Sequence, residues 1–234
     1  MEYKVIITTS GTGSRLKELT QKTNKALIDI NGRPAIEYIL DRYLPNVPLV
    51  VTIGYLGDQI KNYFAKKNRK IEFVEVNPYE GPGSSLGYSL LQTESVVQCP
   101  FIFHACDTIV LEDIAEPNRN WAAAFPVKEG VDVSQYRTHK KEGDNLIKIN
   151  DKGVPGFNAV HIGLIGIKDY KKFWEILNNL HNSRTPEDTS LSDVHVIEAM
   201  LNEGISFESI DLPTWLDTGN LEALNKTIDK LKKD

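Results

Sequence analysis

The sequence predicts an α/β fold: a single domain on a mixed, mainly parallel central sheet flanked by helices, with a small antiparallel insertion. Three observations point there. Short β-branched runs alternate with helical patterns through the first half, which implies parallel pairing with helices on both faces. The second half carries strand runs with no helix between them, which implies antiparallel pairing. No internal repeat, low-complexity tract or linker divides the 234 residues, so they read as one domain, 1–234.

The elements follow in order. Val5-Ile6-Ile7-Thr8 is a β-branched run that ends in a glycine-rich turn. Pro34 suits the first turn of a helix over Ala35 to Leu40. Leu49 to Ile53 is a buried-type strand, and Ile60, Tyr63 and Phe64 recur at helical spacing after it. Ile71 to Val76 reads as a strand, Ser84 to Leu91 as a helix and Phe101 to Phe103 as a fourth strand. Further on, Trp121 to Val127, Leu146 to Ile149 and Ala159 to Ile167 are strand runs. Helical patterns return at Tyr170–Leu180, Leu191–Leu201 and Leu221–Leu231, and Asn182 to Asp188 is an exposed loop.

Composition removes several classes of function. A hydrophobic share of 41% with 25% charged residues is that of a globular chain with a substantial core. The net charge of −5 argues against a nucleic-acid-binding surface. No apolar run approaches the ~20 residues of a membrane span, so no membrane partner is expected. Met1 to Lys4 runs straight into a short strand and carries no secretory signal. Cys99 and Cys106 match no metal spacing and allow at most one bridge. The expected setting is therefore a reducing cytoplasm.

Thr8-Thr9-Ser10-Gly11-Thr12-Gly13-Ser14-Arg15-Leu16 follows the first strand directly. Glycines let such a loop turn sharply and bring backbone N–H groups close to a phosphate. A Rossmann fingerprint needs a third small residue where Leu16 stands, and a Walker loop needs a Gly-Lys-Ser/Thr that is absent. Alone, the loop is equally a tight strand-to-helix turn. Arg15 offers a fork of donors to phosphate oxygens, and Lys25 adds a compact second cation.

Three spaced elements carry a resemblance. Gly11-Thr12-Gly13-Ser14-Arg15-Leu16, then Asn24-Lys25-Ala26-Leu27, then Asn31-Gly32-Arg33-Pro34-Ala35-Ile36, resemble the signature of the sugar-nucleotide pyrophosphorylases. That family includes the glucose-1-phosphate thymidylyltransferases and is related to the phosphocholine cytidylyltransferases. The likeness continues through Gly81-Pro82-Gly83-Ser84-Ser85, Cys106-Asp107-Thr108, Phe157-Asn158-Ala159 and Leu191-Ser192-Asp193 to Trp215-Leu216-Asp217-Thr218-Gly219. The departures are Ala26 in place of proline, Ser10 in place of a smaller residue, Cys106 in place of glycine, and an altered loop at 81–85.

The resemblance implies a Rossmann-like domain whose residues 1–110 mainly bind nucleotide and whose residues 111–234 mainly bind the acceptor. It implies nucleotidyl transfer: a phosphate oxygen of the acceptor attacks the α-phosphorus of a nucleoside triphosphate, and pyrophosphate leaves. Positioning and charge neutralisation dominate such a step. Mg²⁺ is the implied cofactor, because it takes one or two carboxylates together with substrate phosphates and water. By the resemblance Asp107 and Asp217 hold it, with Asp107 also counted as catalytic. Arg15 binds the β- and γ-phosphates, and Lys25 stabilises charge at the α-phosphate.

The implied nucleotide contacts run over Thr8, Thr9, Ser10, Gly11, Thr12, Gly13 and Ser14, then Gly83 and Ser84. Asn77 either stands for a base-contacting glutamine or simply makes the turn before Pro78. Lys152 is matched to the lysine that grips the acceptor's phosphate, and Asn158 and Trp215 to the acceptor pocket. The acceptor implied first is a sugar 1-phosphate. Phosphocholine or another phospho-alcohol is the alternative, and a quaternary ammonium would need an aromatic cage drawn from Trp121, Tyr136, Phe157, Trp174 and Trp215. A catalytically silent nucleotide-sugar-binding protein is the reading of a different class, and a homo-oligomer is compatible with either.

Overall fold

The computed structural model describes residues 2–127 and 132–232. Its strands in chain order are β1 (Lys4–Thr8), β2 (Asp29–Ile30), β3 (Arg33–Pro34), β4 (Leu49–Ile53), β5 (Ile71–Glu75), β6 (Phe101–Ala105) and β7 (Thr108–Ile109). They continue as β8 (Trp121–Pro126), β9 (Thr138–Glu142), β10 (Asn145–Asn150), β11 (Ala159–Ile167), β12 (Glu208–Asp211) and β13 (Leu216–Asp217). The α-helices are α1 (Ala35–Leu40), α2 (Gly57–Phe64), α3 (Leu86–Leu91), α4 (Tyr170–Asn182), α5 (Asp193–Asn202) and α6 (Leu221–Leu231).

One nine-stranded sheet runs through both halves of the chain in the order β5-β4-β1-β6-β11-β8-β12-β10-β9. The strands β5, β4, β1 and β6 are parallel neighbours. Strand β11 runs against both β6 and β8, and β12 then pairs parallel to β8. The β9–β10 hairpin closes the far end, and β9 also reaches the start of β11. This is the mixed central sheet that the sequence predicts, but it is not mainly parallel. The pairings β5–β4, β4–β1, β1–β6 and β8–β12 are parallel, whereas β6–β11, β11–β8, β11–β9, β12–β10 and β10–β9 are antiparallel, because the second-half strands pair without crossover helices.

The central strands are apolar on both faces because helices cover both. Val5 and Ile7 of β1 point to one face, where they join Val51 of β4, Ile36 and Ile39 of α1, and Ile60 and Phe64 of α2. Ile6 points to the other and packs with Phe101, Phe103, Phe173, Trp174, Leu177 and Ile197 from β6, α4 and α5. Each such side chain, fully buried, stabilises the fold by about 1.5–3 kcal/mol. A third, smaller cluster of Leu16, Ile30, Ile109, Leu216 and Leu224 fastens α6 against the glycine-rich turn and the β7–β13 pair.

Strands β9 and β12 escape sequence reading for a definite reason. The buried residues of β9 are Thr138 and His139, and that of β12 is Ser209. These side chains are polar; His139 and Ser209 satisfy each other, while the buried Thr138 hydroxyl has no partner among the described residues. His139 Nδ1 meets Ser209 Oγ at 2.8 Å, His139 Nε2 meets His161 Nδ1 at 2.9 Å, and His161 Nε2 meets Asp193 at 2.9 Å. A buried hydrogen-bonded chain leaves no hydrophobic period to read. Helices fall close to expectation, with α6 over Leu221–Leu231 as predicted and α3 starting at Leu86 once Ser85 caps it.

Strands β1, β4, β5 and β6 all end at the same edge of the sheet, so the segments that follow them lie side by side. That is the edge where open α/β sheets bind ligands.

Candidate active site

The glycine-rich loop is held from beneath and open above. Thr9 donates to Thr52 O through both its amide, at 3.2 Å, and its hydroxyl, at 2.6 Å. Ser10 O accepts from Tyr55 N–H at 2.9 Å, and Ser10 Oγ meets Ser89 Oγ of α3 at 3.2 Å. Thr8, Thr9 and Ser10 are buried. Among the described residues, the N–H groups of Gly11, Thr12 and Gly13 have no acceptor in the chain. Three free amides in a turn are what an anion needs. Gly13 has φ +65, and a Cβ there would stand 3.1 Å from Lys25 Cβ. A side chain at 13 would therefore be strained and would crowd the lysine.

Lys25 is aimed by its neighbour. Asn24 is fully buried; its Nδ2 donates to Thr9 O at 3.0 Å and Tyr55 O at 2.9 Å, and its Oδ1 accepts from Ala26 N–H. The short 3-10 turn Lys25–Leu27 thus begins pinned to the glycine loop. Its ammonium lies 3.3 Å from Asp107 Oδ2, and Arg15 Nη2 lies 3.9 Å from the same oxygen. Arg15 is 67% exposed while Lys25 is 19% exposed, so the arginine remains free to swing onto a ligand.

Asp217 is brought to this point by strand pairing. Strand β13 lies antiparallel to β7, with Asp217 opposite Thr108, and Thr218 donates from both N–H and hydroxyl to Asp107 O. The convergence is visible at Gly219, where a Cβ would stand 3.0 Å from Asp217 Oδ1, 3.2 Å from Arg15 Nη2 and 3.3 Å from Asp107 Oδ2. Both carboxylates and Arg15 meet around this one glycine, although Arg15 and Asp217 stand 202 residues apart in sequence, and Lys25 joins them through Asp107 Oδ2.

Their electrostatics differ. Burial works against ionisation of Asp107, but Lys25 and Arg15 outweigh it and hold the carboxyl below its ordinary value. Burial also works against the Lys25 ammonium, and Asp107 reverses that and raises it. Burial pushes the Asp217 carboxyl up; the Gly219 N–H opposes this and the Asp107 charge adds to it. The Cys106 thiol is pushed up to about 11 by burial, against the pull of Lys25, so it is no nucleophile.

Among the described residues no group of three or more His, Cys, Asp or Glu side chains converges as a metal cage. A carboxylate pair fits a cation that takes its remaining ligands from phosphates and water. The raised Asp217, buried beside a like charge, fits it further, since a cation there would relieve both.

A cleft of about 670 Å³ opens beside Arg15 and Asp217 and is lined by them with Tyr136, Lys152, Trp215 and Glu222, among others. Lys152 and Trp215 therefore line the same cleft as Arg15 and Asp217. Trp215 packs edge-on to Tyr136, ring centroids 5.0 Å apart, and its buried indole N–H has no partner among the described residues. Tyr136 donates to Asp217 Oδ2 at 3.1 Å. Sequence reasoning weighed Tyr136 as a cage residue and missed this bond.

The structure does not gather every expected residue here. Asn158 is exposed, its Oδ1 accepts from Lys141 N–H at 2.9 Å, and it does not line the cleft. Asn77 lines a separate cleft of about 550 Å³ beside Gly54 and Gln59, and its carbonyl accepts from Tyr88. Gly83 and Ser84 lie just before α3, and their amides bond Pro186 O and Gly81 O. Trp121 and Trp174 are buried in the cores and line no part of the cleft.

Comparison with known proteins accords with this geometry. A bifunctional protein GlmU of Methanocaldococcus jannaschii is 28% identical over 240 residues, covering 98% of this chain and 55% of the relative. The chain thus spans about half the length of the curated relatives it matches. A choline-phosphate cytidylyltransferase of Haemophilus influenzae is 33% identical over 91 residues, 37% of each chain. The crystal structure of a UDP-glucose pyrophosphorylase with UDP-glucose superposes with a TM-score of 0.80 at 15% identity, over 100% of this chain and 99% of that one. The family model of the MobA-like NTP transferase domain matches residues 5–137. That stretch is more than half of the chain and includes the glycine loop, Lys25 and Asp107, and the chain belongs to the MobA-like NTP transferase domain family.

Proposed function

We propose that this chain transfers a nucleoside monophosphate from a nucleoside triphosphate to a phosphorylated small-molecule acceptor, releasing pyrophosphate. The observation that carries the reading is the meeting of Asp107, Asp217 and Arg15 around Gly219, with Lys25 paired to Asp107. A silent binding protein would have no need of all four charges at one point. Mg²⁺ would be held by Asp107 and Asp217, and when bound it would neutralise charge on the α-phosphate.

The chain's own groups divide the remaining work. The free amides of Gly11 to Gly13 and the swinging Arg15 receive the β- and γ-phosphates. Lys25, fixed by Asn24, meets the charge that develops at the α-phosphate. Lys152 grips the acceptor's phosphate from across the cleft. Residues 1–110 mainly serve the nucleotide and 111–234 the acceptor.

A sugar 1-phosphate is the favoured acceptor. A quaternary ammonium needs several aromatic faces around one point. Trp121 and Trp174 are core residues, Phe157 lines a different cavity, and the hydroxyl of Tyr136 is engaged by Asp217. The cleft wall instead offers Gln135, Asn220 and Glu222, which suit a polyhydroxyl ring. Both cysteines are free, in keeping with a cytoplasmic enzyme. No helix among the described residues is long and apolar enough to cross a membrane.

A pyrophosphate-release screen tests the reading by crossing the nucleoside triphosphates with sugar 1-phosphates and phosphocholine, with and without Mg²⁺. Release with a sugar 1-phosphate and Mg²⁺ is the expected result. Release with no pair would overturn the enzymatic reading, and release with phosphocholine alone would overturn the choice of acceptor.

A further inference from the structure

We propose that Tyr136 is a positioning residue that holds the Asp217 carboxylate in the orientation a divalent cation requires. The inference rests on the reading of Asp107 and Asp217 as the cation's protein ligands.

Asp217 sits on a strand of two residues, which fixes its backbone and leaves its carboxylate to turn. The backbone is fixed well: it pairs with Thr108, and Thr227 Oγ1 donates to Asp217 O at 2.9 Å. The carboxylate has two donors. Gly219 N–H holds Oδ1 at 2.7 Å, and the Tyr136 hydroxyl holds Oδ2 at 3.1 Å. A carboxylate oxygen accepts more than one bond. With one donor on each oxygen its rotation is set, and the remaining lone pairs are free for a cation.

Tyr136 is itself held. Its amide donates to Val133 O at 2.9 Å, and its ring meets Trp215 edge-on at 5.0 Å and 80°. The phenol donates its one proton to Asp217 Oδ2. Partners of this kind behind a metal ligand are worth about 10–100-fold in metal affinity when removed. Tyr136 also lines the acceptor cleft with Lys152. The side chain that orients the carboxylate is therefore one that an acceptor touches.

The variant Tyr136→Phe removes the hydroxyl and keeps the ring against Trp215. Free Mn²⁺ is followed by electron paramagnetic resonance while it is titrated into the chain with UTP, CTP and dTTP in separate experiments. Wild type, Tyr136→Phe and Asp217→Asn are compared, with thermal melting as the check on folding. The expected result is a Mn²⁺ dissociation constant raised about 10-fold or more in Tyr136→Phe, with the melting temperature and nucleotide affinity little changed. A Tyr136→Phe constant within about two-fold of wild type, while Asp217→Asn binds poorly, would overturn the role of Tyr136 alone. Unchanged binding in Asp217→Asn, or no protein-bound Mn²⁺ in wild type, would overturn the cation site and this inference with it.

Discussion

The ammonium of Lys25 lies 3.3 Å from Asp107 Oδ2, and this ion pair joins the segment after the glycine loop to the end of β6. Each partner shifts the other towards its charged form against the effect of burial. In the proposed reaction both groups face the α-phosphate, so the pair holds two catalytic charges in register. It also keeps an unpaired cation and an unpaired anion from sharing a half-buried site.

Replacing Asp107 by Asn should leave the fold standing and remove turnover. The hydrogen bonds from Thr218 go to the Asp107 carbonyl, which the variant retains. The carboxylate that pairs with Lys25 is lost. A loss of about 10²-fold or more in kcat is expected, the scale of removing one preorganised electrostatic group. Mg²⁺-dependent pyrophosphate release measures it, and turnover near the wild-type value would remove Asp107 from the chemistry.

Gly219→Ala tests the crowding directly. The added Cβ would stand between 3.0 and 3.3 Å from Asp217, Arg15 and Asp107, tighter than ordinary contact. The flexible arginine can withdraw, but the Asp217 carboxylate is held by the Gly219 N–H and that of Asp107 by Lys25. Activity should fall about 10-fold or more through misplacement of the carboxylates, with stability changed by no more than about 1–3 kcal/mol. Steady-state kinetics beside urea denaturation separate the two, and an active, unaltered variant would show that the glycine is needed only for the turn.

These tests sit where sequence and structure agree unevenly. The strand Val5-Ile6-Ile7 is legible because burial on both faces demands β-branched apolar residues. Asp107 and Asp217 are legible because each stands in a spaced motif, Cys-Asp-Thr and Trp-Leu-Asp-Thr-Gly. Tyr136 is not, since it is a single aromatic in a polar stretch and its partner lies 81 residues away. Strands β9 and β12 are hidden because His139 and Ser209 are buried through hydrogen bonds rather than apolar area. Asn158 shows the opposite failing, because its place in a family-like motif gave no sign that its amide would bond Lys141.

Asn24 is the scaffold of the site, and Asn24→Ala should cost both stability and rate. Its side chain makes three hydrogen bonds, to Thr9 O, Tyr55 O and Ala26 N–H. Alanine would leave buried backbone groups without partners, at about 1–3 kcal/mol for each group left unsatisfied. A total near 2–4 kcal/mol is expected, since bonds in one network do not add. Lys25 follows Asn24 directly and would lose its aim. Urea denaturation and single-turnover rates should therefore fall together; a stable variant with a slow chemical step, or the reverse, would separate scaffold from aim.

His104 predicts how stability depends on pH. The ring is fully buried on β6, with Nδ1 at 2.8 Å from the Tyr43 hydroxyl and Nε2 at 2.9 Å from Thr108 O. The carbonyl can only accept, so Nε2 carries the proton and neutral Nδ1 accepts from Tyr43. Burial lowers the imidazole from 6.5 to about 4, although Thr108 O and the Asp107 charge pull the other way. The unfolded chain therefore takes up a proton below 6.5 that the folded chain refuses until about 4. Stability from this group is complete above that window and falls as pH drops through it, by on the order of 3 kcal/mol. His139, also held neutral by burial, acts in the same direction. His104→Gln removes one titrating group, so its unfolding free energy should decline less steeply between pH 6.5 and 4. Urea denaturation at a series of pH values measures both slopes, and parallel profiles for variant and wild type would refute the assignment.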